Sequence, residues 1–361
     1  MKKSLLAIAV LASFAGAASA QSSVTVFGTL DAGMTYANTG TQAPLNTAND
    51  KWSMDSGVSQ ASFIGFKGVE DLGGNLKAIF QLEAGIQIDN GTSSQANTLF
   101  NRASWVGLSG DFGTVTAGRQ FTPLYEAVKT IDPFQLGMAG SASNLMSTGG
   151  ASIVNGAIVA GNSVTNVAQN NSLRYASQSV SGLSAIVNYS FGEQAGNTNA
   201  GRDIGATVNY ANGPLSLLVS YDGVKTLDDT TTLQTTLLGG VADWAQFGFP
   251  LKTSIGYAIN KGSDVVGVAD VDSRDLIIGL RLPMAQHEVL ASFVHKDDKT
   301  TADLNAEQFA LGYTYAISKR TVLYTSVSKM INKNGAAYTV GNASNTGYGV
   351  KVFDFGIRHS F

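Results

Sequence analysis

Apolar and polar side chains alternate one by one along most of this chain. Within residues 307–316, the apolar face carries Phe309, Leu311, Tyr313 and Tyr315, and the other face carries Gln308, Ala310, Gly312 and Thr314. A period of two gives a β-strand one apolar and one polar face. The pattern therefore predicts strands that face lipid on one side and water on the other, as in a transmembrane barrel.

The same alternation recurs in about sixteen segments, an even number, as outer-membrane barrels require. The predicted strands cover residues 24–37, 58–70, 76–88, 99–109, 114–120, 172–179, 183–191, 203–210, 215–222, 233–246, 251–260, 274–282, 288–296, 307–316, 321–329 and 348–361. Short turns and long polar loops alternate between them, a succession that a soluble β-sandwich does not predict. We therefore predict an all-β fold, a 16-stranded antiparallel transmembrane β-barrel with both termini on the periplasmic side.

The first 20 residues have the pattern of a secretory signal peptide. Met1-Lys2-Lys3 is a cationic start, residues 5–18 are apolar, and Ala18-Ser19-Ala20 is the small-x-small sequence that signal peptidase accepts. The apolar stretch is too short for a transmembrane helix, which needs about 20 residues. We expect a signal peptide at 1–20 and a mature outer-membrane β-barrel at 21–361.

Composition excludes several other classes of protein. Charged residues are 14% of the chain, and the formal net charge of -3 becomes -5 when Lys2 and Lys3 leave with the leader, so no basic surface for nucleic acid is expected. The chain has no cysteine, so it offers neither disulfides nor thiolate metal ligands. No glycine-rich phosphate loop follows a strand and opens a helix. We predict no cofactor.

One connection, at about 121–171, is much longer than the others. Its first part has aromatic and acidic residues, Tyr125, Glu126 and Asp132, and no charged residue occurs from Pro133 to Asn171. A loop of this length inside a compact domain is usually functional. Because a barrel of this size leaves an aqueous lumen, we expect the loop to fold into that lumen and narrow it. The alternative is that it packs outside as a surface cover.

Several motifs, in order along the mature chain, resemble those of the Gram-negative general porin family, the trimeric, sixteen-stranded type of β-proteobacteria and neisseriae. They are SVTVFGTLDAG at 23–33, GFKGVEDLGGNLKA at 65–78, FNR at 100–102, GRQ at 118–120, DPF at 132–134, NSLRY at 171–175 and RHSF at 358–361. The resemblance covers essentially the whole mature sequence. It implies a water-filled outer-membrane channel for passive diffusion of small hydrophilic solutes and ions.

The resemblance also implies partners. It implies a homotrimer surrounded by outer-membrane lipid and lipopolysaccharide. The terminal Phe361 resembles the aromatic residue that the family presents to the barrel-assembly machinery, and it also suits a membrane-interface position.

The resemblance places a constriction where basic residues of the barrel wall face acids of the long loop. Arg102 and Arg174 match two wall positions, and Arg119 lies at the entrance of the loop. The acids are Glu126 and Asp132 on the loop and Glu83 on the third strand. Phe63 and Thr29 stand where family members have wall cations, so the basic ladder is thinned. The arginines favour anions and the net charge favours cations, which leaves the sign of selectivity open.

Other functions have weaker support in the residues. A substrate-specific channel is the alternative within transport, and a plugged barrel acting as an enzyme or adhesin is the alternative from another class. His295 lies near Asp297 and Asp298, but a solvated loop edge explains these residues as well as catalysis does. The acidic pairs 228–229, 270–272 and 297–298 suit either a divalent cation or an exposed loop. We assign no catalytic and no metal site.

Overall fold

The structure, a computed structural model, describes residues 23–38, 50–147, 152–154, 157–159, 167–262, 271–336, 338–341 and 350–361. The predicted signal peptide lies outside the described residues. The strands are β1 (Ser23–Asn38), β2 (Lys51–Ser56), β3 (Phe63–Gly73), β4 (Leu76–Gln87), β5 (Thr92–Ser93), β6 (Ala103–Gly110), β7 (Gly113–Phe121), β8 (Ser152–Val154), β9 (Ala157–Val159), β10 (Ala168–Ala176), β11 (Leu183–Ser190), β12 (Asp203–Asn212), β13 (Leu215–Lys225), β14 (Thr232–Asp243), β15 (Lys252–Gly262), β16 (Val271–Met284), β17 (His287–Asp298), β18 (Ala306–Ala316), β19 (Thr321–Asn332) and β20 (Lys351–Ser360).

The strands form one closed antiparallel barrel. β1 pairs with β20 from Thr29↔Ser360 to Asn38↔Lys351, and this pairing closes the sheet. β2 and β3 pair with the two halves of β1 and together make one interrupted barrel strand. β5, β8 and β9 belong to connections, so the barrel has sixteen strands, and the predicted 16-stranded antiparallel β-barrel is confirmed.

The two faces of the barrel differ as the alternation predicts. Phe309 and Leu311 on β18 and Ile278 on β16 are exposed on the outer face, whereas Gln308 and Asp275 on the opposite face are 0% exposed. Burying an apolar side chain in lipid is favourable, and strands of a closed barrel leave no unpaired edge. We call the face opposite the exposed apolar rows the inward face.

The second barrel strand departs from the prediction at residues 57–62. The sequence predicted a strand starting at residue 58, but the chain leaves the ladder at Gly57, whose φ is +74°. The Asp31 carboxylate accepts hydrogen bonds from the backbone N–H groups of Ser59 (3.1 Å) and Gln60 (2.9 Å). Those groups are therefore satisfied without a partner strand.

The long connection (residues 122–167) begins with helix α1 (Pro123–Ile131), which the sequence analysis did not predict. Its start signals are Thr122, whose hydroxyl accepts from the N–H of Tyr125, and a proline at the first helical position. Leu124, Val128 and Ile131 are buried on one side of it. In the described part of the chain, no helix is both long and apolar enough to span a bilayer.

The long connection packs against glycines of the inward face. They lie on β12, β14, β15, β16 and β18 and contact Pro123, Ile131, Pro133 or Phe134: Gly205, Gly239, Gly256, Gly279 and Gly312. A Cβ added at Gly256 would lie 2.2 Å from Cδ1 of Ile131, and one at Gly312 would lie 2.6 Å from Cε1 of Phe134. The connection therefore lies against a row of residues that have no side chain, and we call these five glycines the glycine track.

Hydrogen bonds fix residues 138–141 of the long connection to the barrel. Ala139 donates its backbone N–H to the Asp354 carboxylate on β20 (2.6 Å), and Met138 donates to the carbonyl of Val58 (2.5 Å). Gln308 on β18 donates to the carbonyls of Gly140 and Ser141 (3.2 and 3.1 Å). The segment from α1 to residue 146 thus contacts the inward face from β11 to β20.

Candidate functional site

The wall opposite this track carries the first pair of predicted site residues. The Arg102 Nε lies 3.1 Å from Glu83 Oε2, and its guanidinium carbon lies 4.7 Å from the Phe63 ring centroid and 5.3 Å from the Phe121 centroid. Both charged side chains are largely buried. A cation between two aromatic faces and a carboxylate is held in one position. Phe63, at a position predicted to thin the basic ladder, therefore supports Arg102.

The second pair joins the wall to the loop. Arg174 on β10 donates from Nη1 to Glu126 Oε1 (3.0 Å) and from Nη2 to Oε2 (2.5 Å), a bidentate contact. Its Nη1 also donates to the carbonyl of Phe121 (3.1 Å). Because Glu126 lies in the first turn of α1, this ion pair fastens the helix to the wall from which it starts.

Two cations that the site prediction did not include lie in the same region. Lys129, half-buried on α1, interacts electrostatically with Arg102, Glu83, Glu126 and Arg358. Burial lowers the pKa of Lys129 from its usual value, Arg102 and Arg358 lower it further, and the two acids oppose the change. Arg358 on β20 donates to the Ser59 hydroxyl (3.1 Å). In the described ranges, neither Lys129 nor Arg358 makes an ion pair with an acid within 4.0 Å.

Asp132 and Arg119 bind groups other than the two arginine–glutamate pairs. The Asp132 carboxylate, 1% exposed, accepts from the backbone N–H groups of Phe134, Leu136 and Ala142, each at 2.9 Å. Burial raises the pKa of Asp132 to about 6, against the lowering effect of these donors. Arg119 donates to the carbonyl of Asn101 and to Asn170 Oδ1, both at 2.7 Å. Among the described contacts, neither residue makes an ion pair with Glu83, Arg102, Glu126 or Arg174, although Arg119 bonds the residue next to Arg102.

The remaining predicted residues have defined surroundings. Phe361 exchanges backbone hydrogen bonds with Gly28 (3.1 and 3.2 Å), and its ring lies where a side chain at Gly28 would be. Thr29, buried on β1, contacts the Ser360 hydroxyl (3.1 Å). His295 Nδ1 lies 3.7 Å from Glu307, and no serine hydroxyl of the described residues is among its contacts.

Most acidic loop residues considered as cation ligands already have protein partners. Asp228 accepts from Thr226 and Thr230, Asp229 pairs with Lys225, and Asp297 pairs with Lys299 (2.5 Å). Asp272 contacts both Lys261 and Arg274 (2.7 Å each). Asp270 lies outside the described residues. These contacts agree with ordinary solvated loops.

The charges around α1 determine what the site can do. Glu83 is paired with Arg102 and Glu126 with Arg174, so Arg358 is the further cation that acts on Lys129. Lys129 was missed because its position depends on the helix: Glu126 and Lys129 are three residues apart, so both lie on the same, partly exposed face of α1. The capping sequence Thr122-Pro123 was the available signal for that helix.

The model for the Gram-negative porin family matches residues 7–349. The chain is 34% identical to outer membrane porin protein 32 of Delftia acidovorans, with 100% of both chains covered.

Solved structures give the same result. The anion-selective porin from Comamonas acidovorans is similar with a TM-score of 0.78 at 29% identity, covering 94% of this chain and 100% of that one. The trimer form of OmpT, an outer membrane protein of Vibrio cholerae, matches with a TM-score of 0.65 at 14% identity, covering 94% and 99% of the chains. The last comparison shows the fold alone. This chain belongs to the Gram-negative porin family and is an outer-membrane β-barrel.

Proposed function

We propose that this porin is a water-filled channel for passive diffusion of small hydrophilic solutes and ions, with a preference for small anions. The single observation that carries the anion preference is the charge balance around α1. Glu83 and Glu126 are paired with arginines and Arg358 interacts electrostatically with Asp31 across the β1–β20 ladder, while Lys129 has no ion pair with an acid among the described residues. An anion passing this region meets an excess of positive charge.

The constriction in this proposal lies between the exposed face of α1 and the wall that carries Arg102 and Arg174. Two observations support a position of the long connection inside the lumen. Its contacts are with inward-facing residues from β11 to β20, and the side chains it buries form a continuous apolar cluster with that face. The charged face of α1 then borders the open part of the lumen, so ions pass Lys129 and Arg102.

The Comamonas acidovorans relative is described as an anion-selective porin, which agrees with the proposed preference. The OmpT structure of the same fold is a trimer form, and we propose a homotrimer for this chain as well. Outer-membrane lipid, lipopolysaccharide and the barrel-assembly machinery, the latter through Phe361, are the further proposed partners. We propose no catalytic activity, because His295 contacts Glu307 and a phenyl ring rather than a serine nucleophile.

Swelling of liposomes that contain the folded protein tests the channel. Passive diffusion predicts that sugars enter at rates that fall with solute size and rise linearly with concentration. A rate that saturates for one solute would instead indicate a substrate-specific channel. No swelling with folded protein would indicate a plugged barrel. Heat-denatured protein in the same liposomes is the control for leakage.

A further inference from the structure

Two lysines lie directly opposite each other on the outer face of the barrel. Lys329 on β19 pairs with Lys351, the first residue of β20, in the antiparallel ladder, so their Cβ atoms are about 5 Å apart. Both side chains are exposed, on the same face as Val327 and Phe353. Like charges directly opposite each other destabilise a sheet. The pair therefore favours an anion that lies between the two ammonium groups.

No acid of the described residues neutralises this pair. Neither lysine makes an ion pair or a side-chain hydrogen bond within the described part of the chain. Glu307, on the same face, contacts Lys333 instead, and Asp50 accepts from the Tyr36 hydroxyl (2.6 Å) and the Asn38 amide (2.5 Å). No Asp or Glu occurs in the two segments that adjoin this end of the face, residues 39–49 and 342–349. The counterion of the pair therefore comes from outside the chain.

An apolar groove adjoins the two lysines. Its volume is about 750 Å³, within the range of about 300–1,000 Å³ that small-molecule sites have. Phe293 lies opposite Phe309, which lies opposite Lys329, so the lysines continue the aromatic row along the outer edge of the groove. Ala291, opposite Leu311 in the next row, is the smallest outward side chain of the lining and gives the groove depth. The site thus combines two cations with an apolar cleft.

The position of the groove in the membrane limits what can occupy it. β20 runs from Lys351 towards the C-terminus, so the lysines lie at the end of the barrel opposite both termini. With both termini on the periplasmic side, as the sequence predicts, this is the outer-leaflet end. An occupant needs acyl chains for the groove and an anionic group for the lysines, and lysine binds phosphate as a point charge. Lipopolysaccharide has both, because its lipid A part carries phosphate groups and acyl chains.

We propose that Lys329, Lys351 and the adjoining groove bind the lipid A part of lipopolysaccharide, with a phosphate between the ammonium groups and acyl chains in the groove. The proposal gives a site to the lipopolysaccharide partner proposed above. It does not depend on ion conduction, so a failure of this site and a failure of the channel function are distinguishable. The two ammonium groups supply the charge of one divalent cation, so binding here should persist in EDTA.

Titration of diphosphoryl lipid A into the refolded protein in detergent with EDTA, read by native mass spectrometry, tests the site. We expect Lys329→Gln/Lys351→Gln to bind lipid A roughly 25-fold more weakly than wild type, at about fivefold for each lysine near an anionic lipid surface. Lys319→Gln/Arg320→Gln, in an exposed turn at the other end of the barrel, removes the same charge and is the matched control. Equal lipid A affinity in the two double variants would overturn the proposal.

A third variant separates a lipid site from attraction of phosphate by charge alone. Ala291→Phe fills the groove and leaves both lysines in place, so we expect it to weaken lipid A binding. Equimolar inorganic phosphate should not displace lipid A, because it has no acyl chains. Unchanged lipid A affinity in Ala291→Phe, or displacement by inorganic phosphate, would overturn the lipid site.

The same spectra report whether a second copy of the chain covers this face instead. Loss of trimer mass in Lys329→Gln/Lys351→Gln, with lipid A affinity unchanged, would make the face a subunit contact and would overturn the proposal. We expect the trimer mass to be the same in wild type and in both double variants.

Discussion

Glu83 and Glu126, the acids beside the candidate constriction, each have an arginine partner, and in our proposal this pairing decides which charge a passing ion meets. Glu83 is held by Arg102 and Glu126 by Arg174, so neither acid acts as a free negative group. Asp132 is buried among the backbone N–H groups of its own loop. A count of charges in the sequence therefore overstates the negative charge at the site.

Lys129 gives a prediction about ion selectivity. Replacing Lys129 by Gln should lower the ratio of chloride to potassium permeability, because one cation beside the ion path is lost. At about 8 Å through water, one unit charge is worth about 0.5 kcal/mol, or roughly a twofold change. The measurement is the reversal potential in a salt gradient. Lys319→Gln, in an exposed turn, is the control, and an equal change in both variants would contradict the role of Lys129.

Asp132 gives a prediction about pH. Since burial raises its pKa to about 6, the folded protein holds the proton more strongly than the unfolded chain does between about pH 4 and pH 6. The contribution of Asp132 to the free energy of unfolding is complete below about pH 4. It falls by up to about 3 kcal/mol as the pH rises to 6. Asp132→Asn has no such loss. Its melting temperature relative to wild type should therefore rise over this window and stay level above it.

The opposite trend would contradict this prediction. If the relative melting temperature of Asp132→Asn fell as the pH rose from about 4 to 6, the three N–H donors would outweigh burial, and the carboxylate would stabilise the fold in its charged form.

Among the elements, the barrel strands other than β2 (Lys51–Ser56) were predicted from the sequence, and the loop helix was not. A period of two is visible in every strand because lipid selects apolar side chains on one face over the whole length. Helix α1 is short, and its apolar residues Leu124, Val128 and Ile131 pack on wall glycines that are distant in sequence. The site residues divide in the same way: Arg102 and Arg174 lie on strands, whereas Lys129 depends on the unrecognised helix.

The glycine track gives a prediction for α1. Gly256→Leu should push the helix away from the wall, because even a Cβ there would lie 2.2 Å from Ile131 Cδ1. The displaced helix should narrow the lumen and lower single-channel conductance, with the barrel circular dichroism unchanged. Ile131→Ala in the same variant should restore part of the conductance. Gly240→Leu, on the outer face of the same barrel, is the control, and equal conductance in both single variants would contradict the packing model.

The sheet closes on itself through β1 and β20, and the described part of the long connection packs on the inward face from β11 to β20. The other side carries the aromatic-supported Arg102 and the Arg174 pair. With the connection inside the lumen, as we propose, the pore is asymmetric, and charges are separated by their position rather than by the net charge. The formal net charge of -3 is therefore a poor guide to selectivity.

The most direct test of the central claim is the current through the purified protein in a planar bilayer under a salt gradient. We predict stepwise currents in groups of three, as a homotrimer requires, and a reversal potential on the anion side. A reversal potential on the cation side would contradict the proposed charge balance at Lys129 and Arg358. No current from correctly folded protein would contradict the open channel itself.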